Sequence, residues 1–480
     1  MTWLLVGLRS EGRGGAIAFG GPGGTGCEIG GEEGTPRWRD QVSMQQDAVA
    51  APVIVVGAGM AGLTCAVALH EAGRPVLVLE AEEVVGGRVR SERDEDGFVL
   101  DRGFQVLLDA YPAVRRWIDI AALQPGAFDA GALVWSGRRL VPLGDPRRRP
   151  VALVRDLTTS LFPWNDKVRL ALLAGRAMTA PWQSAREAAE EPTADRSGAE
   201  ALWAAGFSRR FVDHFARGFW GGILLDPSLA SSAGPLLFTL KMFLAGRGVL
   251  LAAGMGAMPA QLAARLPTRA VRLGVRVDEV IVEEGRAVGV RAGESRWSGS
   301  AVVVATEPPT AQRLTGLAAL PGWDDGVGSL TVFLDGVKEP GLGRTLVVDG
   351  SGSLTFAVLS PLSVVQPTYA PAGRHLLAAQ VVGERLSEGD DEQLAQRVRL
   401  DVARVLGHYV GDWRVRRTVR LPFSQFAQPP GVYGRLPGNE TGVARLFLAS
   451  EATVDSSYNG AVTSGEAAAR AVLADGEDGA

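Results

Sequence analysis

The feature that most constrains this chain is a strand, a glycine-rich turn, a helical segment and a second strand in direct succession. The run Val53–Val56 is continuously β-branched, which is typical of a strand buried on both faces. Glycines then stand at positions 57, 59 and 62, a helical segment covers Leu63–Ala72, and Val76–Leu79 is a second apolar run. This order predicts a βαβ unit and therefore a parallel sheet covered by helices.

The spacing of the glycines predicts that the turn binds a dinucleotide. The turn consists of Gly57, Ala58, Gly59, Met60, Ala61 and Gly62. The first glycine permits the tight turn, the second lets backbone approach a pyrophosphate, and the third lets the helix pack on the strand. Glu80 ends the second strand, near the distance of about 20 residues expected of an acid that accepts the ribose hydroxyls. The pattern fits a nicotinamide or a flavin dinucleotide equally well.

The residues after the second strand resemble one superfamily of flavoproteins. The stretch Glu80–Val89, with Gly86, Gly87 and Arg88 in it, resembles the FAD-dependent amine oxidase, phytoene desaturase and protoporphyrinogen oxidase superfamily. The resemblance implies FAD as the cofactor, with backbone at the two glycines close to it and Arg88 beside the pyrophosphate and the flavin. It also brings Ala81 into the cofactor-binding set. The alternative for Arg88 is a solvated surface charge.

The resemblance returns near the C-terminal end. Leu446–Ala449 predicts another buried strand, and Glu451 follows it. In the family an acid at this place holds the ribityl chain, whereas the alternative for Glu451 is a helix N-cap. The last helix is predicted to open at Tyr458–Val462, with Gly460 and Ala461 in its first turn. A helix N-terminus there stabilises the negative charge of reduced flavin.

Looser matches lie between these two ends. Val275–Val277 and the apolar run after it resemble the strand pair whose backbone meets adenine in the family, with Val277 at the matching position. Gly254–Gly256 precedes a helix, and Val302–Thr306 is predicted to be a core strand. The matches occur in the family's order, so the resemblance covers most of residues 51–476.

We expect an α/β fold in which an α+β substrate domain, a mixed sheet with helices, is inserted into a Rossmann-like FAD-binding domain assembled from discontinuous segments. The FAD-binding domain is predicted to cover 51–108, 250–310 and 435–476, and the substrate domain 109–249 and 311–434. We expect residues 1–50 to be a disordered tail, with the native start near Met44, because residues 10–43 are rich in Gly, Glu, Arg and Pro without a period.

Each piece of the substrate domain has its own pattern. The first is predicted to be helical, with helices at 166–178, 197–205 and 208–216. The second is predicted to contain strands at Ser329–Leu334, Leu354–Leu359 and His375–Val382 and a helix at Asp391–Leu406.

Two apolar stretches are candidates for a substrate cavity. Phe215–Leu225 is rich in aromatic residues and glycine, and Trp220 is its largest side chain. Pro235–Leu250 is strongly apolar. Further wall candidates are Phe423, Phe426 and Tyr458, the last beside the flavin ring. The alternative for the two apolar stretches is core packing.

Composition excludes several classes of function. The net charge of −4 argues against nucleic acid as a partner, and two cysteines and four scattered histidines give no metal site. We find no membrane-spanning pattern, and we expect a cytoplasmic location. Peripheral membrane contact stays open, because Arg147–Arg149 fits either a solvated loop or anionic lipid.

Three functions fit this sequence. The first is an FAD-dependent oxidoreductase that passes hydride from a small hydrophobic substrate, such as a carotenoid-type polyene or a tetrapyrrole, to flavin N5. The second is a flavin amine oxidase, and the third is a non-enzymatic prenyl-binding carrier of the same fold. Many amine oxidases have a lysine in a strand that matches Ser329–Phe333 here, and that strand has none. We therefore rank the first function highest; the electron acceptor and any catalytic base stay open.

Overall fold

The computed structural model describes residues 51–144, 161–191 and 196–477. The predicted tail at 1–50 and the arginine run Arg147–Arg149 lie outside the described residues. The described helices contain none with the length and apolarity needed to cross a membrane. Peripheral membrane contact and the cytoplasmic location stay predictions.

The described residues contain twenty strands. In chain order they are β1 Val53–Val56, β2 Val76–Leu79, β3 Ser91–Arg93, β4 Val99–Asp101, β5 Leu107–Leu108, β6 Gly126–Ala127, β7 Gly131–Trp135, β8 Leu140–Gly144, β9 Gly248–Leu250, β10 Val271–Arg272, β11 Glu279–Glu283, β12 Arg286–Ala292, β13 Ser295–Ser298, β14 Ala301–Val304, β15 Gly326–Gly336, β16 Leu346–Asp349, β17 Val358–Ser360, β18 His375–Val382, β19 Trp413–Phe426 and β20 Leu446–Leu448.

Thirteen α-helices lie in the same described ranges. They are α1 Met60–Glu71, α2 Pro112–Trp117, α3 Trp164–Thr179, α4 Ala185–Ala189, α5 Gly198–Ala204, α6 Arg209–Phe211, α7 Arg217–Leu224, α8 Ala233–Ala245, α9 Ala257–Ala263, α10 Pro308–Thr315, α11 Leu362–Val365, α12 Asp391–Leu406 and α13 Tyr458–Glu477. A π-helical segment, Val212–Ala216, joins α6 to α7.

The predicted parallel sheet is present and has five strands, in the order β10-β2-β1-β14-β20. Every neighbouring pair in it is parallel. Strand β1 is buried along its whole length, and alternate residues belong to different cores: Val53 and Val55 pack in the core that contains α1, whereas Ile54 and Val56 pack in a second core with β12 and α10. The continuous apolar run follows from this burial on both faces.

The second large sheet is mixed and has seven strands, in the order β19-β15-β18-β17-β16-β7-β8. Strand β18 and helix α12 have the predicted bounds, and α12 contributes its apolar stripe to the core on one face of this sheet. Residues of the other face, among them Val348, Val358 and Ala378, belong to the core that contains α1. This arrangement confirms the predicted combination of a parallel and a mixed sheet.

Several local expectations are wrong. The first substrate piece contains strands as well as helices, because β7 pairs parallel with β16 and antiparallel with β8, and so joins the mixed sheet. The predicted strand at Leu354–Leu359 is shorter and shifted, since only Val358–Ser360 pairs with β18. The predicted helix over 208–216 continues through the π-helical segment to Leu224. Residues 275–277 form no strand, although β11 follows them.

Candidate functional site

A cavity of about 560 Å³ opens where the parallel strands end. The residues at the carboxyl ends of four strands contribute to its wall, namely Gly57 after β1, Glu80 after β2, Ala305 after β14 and Ala449 after β20. In open parallel sheets ligands bind outside the carboxyl ends of the strands, because the loops there diverge and leave a crevice. The sheet therefore positions the cavity.

The glycine turn has the geometry that a bound pyrophosphate requires. Gly57 has a φ of 106°, a conformation that suits glycine, and it lies against the carbonyl oxygen of Ala305. A Cβ at Gly62 would lie 2.1 Å from the carbonyl oxygen of Gly57, so the helix packs directly on the turn. A Cβ at Gly59, in contrast, would meet no protein atom within 4 Å. Gly59 thus faces open space in the cavity, where a ligand can approach the backbone.

Of the last three residues of this turn, two line the cavity and the third does not. Met60 and Ala61, in the first turn of α1, are in the wall. Gly62 is one step farther along the helix and serves the packing of α1 on β1. The free N–H groups at the helix N-terminus belong to the same wall.

Glu80 is buried and holds the turn in place. One carboxylate oxygen accepts a hydrogen bond from the Ala58 N–H at 2.6 Å, and the other accepts one from the Glu82 N–H at 3.0 Å. A carboxylate has about four acceptor sites, so it can accept a ribose hydroxyl as well. Glu80 and Ala81 both line the cavity. The ribose contact stays a prediction.

Arg88 forms an ion pair with Glu451 across the cavity. Gly86, with a φ of 116°, begins the turn that precedes Arg88. Gly86, Gly87 and Arg88 all line the cavity. One guanidinium nitrogen of Arg88 donates to Glu451 Oε1 at 2.5 Å, and another donates to the Ser424 carbonyl oxygen at 3.0 Å. Arg88 is therefore not a solvated surface charge.

Glu451 does not serve as a helix cap. Ser450 caps the short turn after β20, since its hydroxyl accepts a hydrogen bond from the Ala452 N–H. The Glu451 carboxylate points at Arg88 and lines the cavity. The Glu451 carboxylate is therefore placed where it could hold the ribityl chain, as the resemblance implies. This role stays a prediction.

The N-terminus of the last helix, α13, lies at the cavity. Tyr458 and Ala461 are in the wall, whereas Gly460 is not, because it packs on Asp455, whose carbonyl oxygen would be 2.1 Å from an added Cβ. A helix of this length presents about half a positive charge at its N-terminus. Val277 also lines the cavity.

The cavity has two chemically different parts. The part formed by the strand ends, the glycine turn and Arg88 is polar and charged, and we call it the dinucleotide half. The other part is mainly apolar and lies between α7, α8 and the mixed sheet; we call it the apolar half. Its aliphatic and aromatic side chains are Phe219, Ile223, Phe238, Phe243, Leu346, Val348, Val358 and Leu421.

Three predicted wall residues do not line this cavity. Trp220 is 1% exposed and packs edge-on against Phe215 in the core. Phe423 and Phe426 are also buried, and they pack in the second core, where Phe423 meets Trp323. The sequence identified the right helix and the right strand, but not which face of each turns to the cavity.

Other residues at the cavity were only partly expected. Pro235–Leu250 contributes Phe238, Thr239 and Phe243 from one face of α8. Gln105 was missed, and it accepts a hydrogen bond from the Tyr458 hydroxyl at 2.7 Å. No local sequence signal marks such a residue, because its partner lies at the other end of the chain.

Asp455 is a fully buried carboxyl group in the cavity wall. One of its oxygens accepts a hydrogen bond from the Ala185 N–H at 2.8 Å, and the Ser457 hydroxyl donates to the other. Burial raises the pKa of Asp455, and the negative charges of Glu187 and Glu451 raise it further. It ties the start of α13 to the start of α4, and nothing in the sequence pattern singled it out.

Comparisons with known proteins agree with this geometry. The sequence profile of the family described as flavin containing amine oxidoreductase matches residues 60–473. The chain belongs to this family. It is an FAD-dependent oxidoreductase, and a non-enzymatic carrier does not agree with that membership.

Individual relatives differ in what they act on. An L-amino acid dehydrogenase from Synechocystis sp. is 26% identical over 88% of this chain and 94% of its own length. A 15-cis-phytoene desaturase from Arabidopsis thaliana is 42% identical, but over only 64 residues, 13% of this chain and 11% of that protein. The wild-type structure of a putrescine oxidase bound to putrescine has a TM-score of 0.66 at 18% identity, over 88% of this chain and 99% of that one, which shows the shared fold.

The residues of the dinucleotide half fit FAD. Gly59 leaves room for a ligand against the backbone, Glu80 offers acceptors at the end of β2, and the N-terminal ends of α1 and α13 supply N–H donors. The Arg88 and Glu451 pair lies between them. When bound, FAD supplies a two-electron acceptor for hydride. The described residues contain no cluster of side chains suited to a metal ion.

The role of Glu80 is tested by Glu80→Ala and Glu80→Gln. Alanine removes every side-chain acceptor, whereas glutamine keeps one oxygen for the Ala58 N–H. We expect FAD binding to weaken by about 1–3 kcal/mol in Glu80→Ala, the scale of hydrogen bonds to a charged group, and by less in Glu80→Gln. Flavin retained after dialysis is the measurement, and the exposed neighbour Glu83→Ala is the control. Unchanged affinity in Glu80→Ala would refute the assignment.

Asp455→Asn tests the buried carboxyl group. Its pKa is raised in the folded protein above the unfolded value of about 3.9. Its contribution to stability is therefore present at low pH and lost as the pH rises through the folded pKa. We expect the gain in unfolding free energy from Asp455→Asn to be larger at pH 7.5 than at pH 4, measured by chemical denaturation. Asp324→Asn, at an exposed position, controls for the loss of one charge; an equal gain at both pH values would contradict the account.

Proposed function

We propose that this flavin oxidoreductase oxidises a substrate with a large apolar body, in the manner of a desaturase or a porphyrinogen oxidase, and that hydride passes to flavin N5. The observation that carries the proposal is the apolar half of the cavity. Its wall from α7 and α8 consists of Phe219, Ile223 and Phe243, and the facing sheet adds Val348 and Val358. An apolar substrate body gains free energy by leaving water for such a wall.

The aromatic side chains behind this wall keep it rigid. Phe219 stacks on Phe215 and also meets Trp220 edge-on and Phe243 at a tilt. Rings held this way have few alternative positions, so they exclude water from the apolar half. Water exclusion favours hydride transfer, because it protects the reacting centre from competing reactions.

The charged groups of the wall support the same proposal. Among the described lining residues, the arginines are Arg88, Arg102, Arg276 and Arg313. Arg88 is paired with Glu451, and Arg313 donates to the Asp278 carbonyl oxygen. Arg102 and Arg276 lie close enough to Glu82 to lower its pKa. The partners in these contacts, Glu451, Asp278 and Glu82, are not among the side chains of the apolar half.

The described residues that line the cavity include no lysine. Lys241 donates to the carbonyl oxygens of Ala180 and Trp182, at 2.8 and 2.6 Å, and burial lowers its pKa. Lys338 pairs with Asp412 beyond β15. The lysine of many amine oxidases therefore has no counterpart among the described lining residues, in line with the ranking from the sequence.

Amine or amino-acid oxidation is the second candidate. The observation in its favour is the 26% identity to the L-amino acid dehydrogenase over nearly the whole of both chains. The aliphatic and aromatic side chains of the apolar half favour the first candidate instead, and the buried Asp455 carboxyl group, which also lines the cavity, is the feature of the wall that would suit an ammonium group. The electron acceptor is open to oxygen, a quinone or a second protein.

Anaerobic mixing decides between these candidates. The purified holoenzyme is mixed with benzylamine, putrescine or L-leucine, and separately with protoporphyrinogen IX or phytoene in detergent, while the oxidised flavin band is followed. We expect the apolar substrates to bleach the flavin and the amines to leave it oxidised. Ile223→Ala, which shortens the apolar wall, should slow bleaching about tenfold or more, because it removes about 2 kcal/mol of apolar contact and about 1.4 kcal/mol corresponds to a factor of ten. Leu400→Ala, at an exposed position, is the matched control.

The opposite result would overturn the proposal. Rapid bleaching by a small amine or by L-leucine, with none by the apolar compounds, would promote the second candidate to first place.

A further inference from the structure

One row of side chains crosses the face of the mixed sheet that looks into the cavity. The register of the strands places its members side by side at one level, so that each is a direct neighbour of the next. We call it the central row, and across the sheet it reads Val419, Thr331, Gln380, Val358, Val348 and Val134. Direct cross-strand neighbours project to the same face.

Two polar residues interrupt this row of valines at its centre. Gln380 is 4% exposed, lies on β18 and lines the cavity, together with its neighbours Val358 and Val348. Its carboxamide oxygen has no hydrogen-bond partner in the protein. The hydroxyl of Thr331, directly beside it and fully buried, has none either.

An unpartnered acceptor at this place has a physical consequence. A buried polar group without a hydrogen bond costs free energy, and valine in the same position would fill the row without that cost. Other polar groups of the same wall are satisfied: Ser329 shares a hydrogen bond with Ser424 at 2.8 Å, and the Gln425 amide donates to the Ile223 carbonyl oxygen at 3.2 Å. Gln380 differs from them because it lines the cavity while its carboxamide oxygen has no partner in the protein.

We propose that Gln380 determines substrate specificity: its carboxamide oxygen accepts a hydrogen bond from an N–H or O–H group on the apolar body of the substrate. This inference rests on the proposed function and narrows it. A pure hydrocarbon polyene offers no donor and would leave the acceptor unsatisfied. A substrate with a pyrrole N–H or a hydroxyl satisfies it while the rest of its body meets the valines and Phe219.

A matched pair of probes tests the proposal without knowledge of the natural substrate. Indole and indene share a bicyclic apolar frame, and indole alone has an N–H donor. Each is titrated into the holoenzyme while perturbation of the flavin absorbance reports binding. The variant is Gln380→Leu, which keeps the approximate volume and removes the acceptor, and Gln425→Leu is the control in the same wall.

We expect the wild type to prefer indole over indene, and Gln380→Leu to reduce that preference about two- to tenfold, the scale of one net hydrogen bond. Gln425→Leu should keep the wild-type preference. The thermal midpoint of Gln380→Leu should equal or exceed that of the wild type, because an unsatisfied polar group is removed. If that variant does not fold, Gln380→Met makes the same comparison.

Four results would overturn the inference. The first is equal binding of both probes by the wild type, and the second is an unchanged indole preference in Gln380→Leu; both leave the proposed function intact. The third is loss of flavin from Gln380→Leu, which would assign the acceptor to the cofactor. If neither probe binds at all, the apolar half is not a substrate site, and the proposed function fails together with the inference.

Discussion

The ion pair between Arg88 and Glu451 is the contact on which the architecture of the site depends. It joins side chains 363 positions apart, one after the first βαβ unit and one after the last strand of the parallel sheet. Because Glu451 is largely buried, removal of Arg88 would leave a buried carboxylate without its partner, which is strongly destabilising. The pair therefore fixes the segment after the first βαβ unit against the segment after β20, and both of its members line the cavity.

The mixed sheet supplies the second half of the site from a separate part of the chain. Its central row is apolar apart from Thr331 and Gln380, and the helices opposite present aromatic side chains. A rigid apolar wall that contains the unpartnered oxygen of Gln380 can both exclude water and orient a substrate. In the proposed function the cofactor provides the redox chemistry, while the protein orients the substrate, excludes water and selects among substrates.

Local sequence patterns predicted the parts of the fold in which neighbours in sequence are also neighbours in space. The first βαβ unit is of this kind, because the glycine spacing, the buried strand and the acid at position 80 lie within thirty residues. Strand β18 and helix α12 were likewise predicted with their observed bounds. The mixed-sheet position of β7 was not predictable, because its partner β16 lies about 200 residues away.

The cavity wall was harder to predict than the fold. Phe219 and Trp220 are adjacent in sequence, yet only Phe219 lines the cavity. A helix turns by about 100° per residue, so one position decides between cavity and core, and the apolar character of both residues is the same. Gln380 and Asp455 have no motif at all, since each acquires its role from elements that meet it only in the folded chain.

The central claim, that FAD lies against the turn at Gly59, is tested most directly by Gly59→Ser. Gly59 is the N-cap of α1 with ordinary extended angles, serine is a preferred N-cap residue, and an added Cβ meets no protein atom. The account predicts that the flavin-free variant unfolds at the wild-type free energy or above, while FAD affinity falls about tenfold or more. Gly62→Ala, whose Cβ would collide with Gly57, should instead destabilise the flavin-free protein. Full FAD affinity in Gly59→Ser would contradict the account.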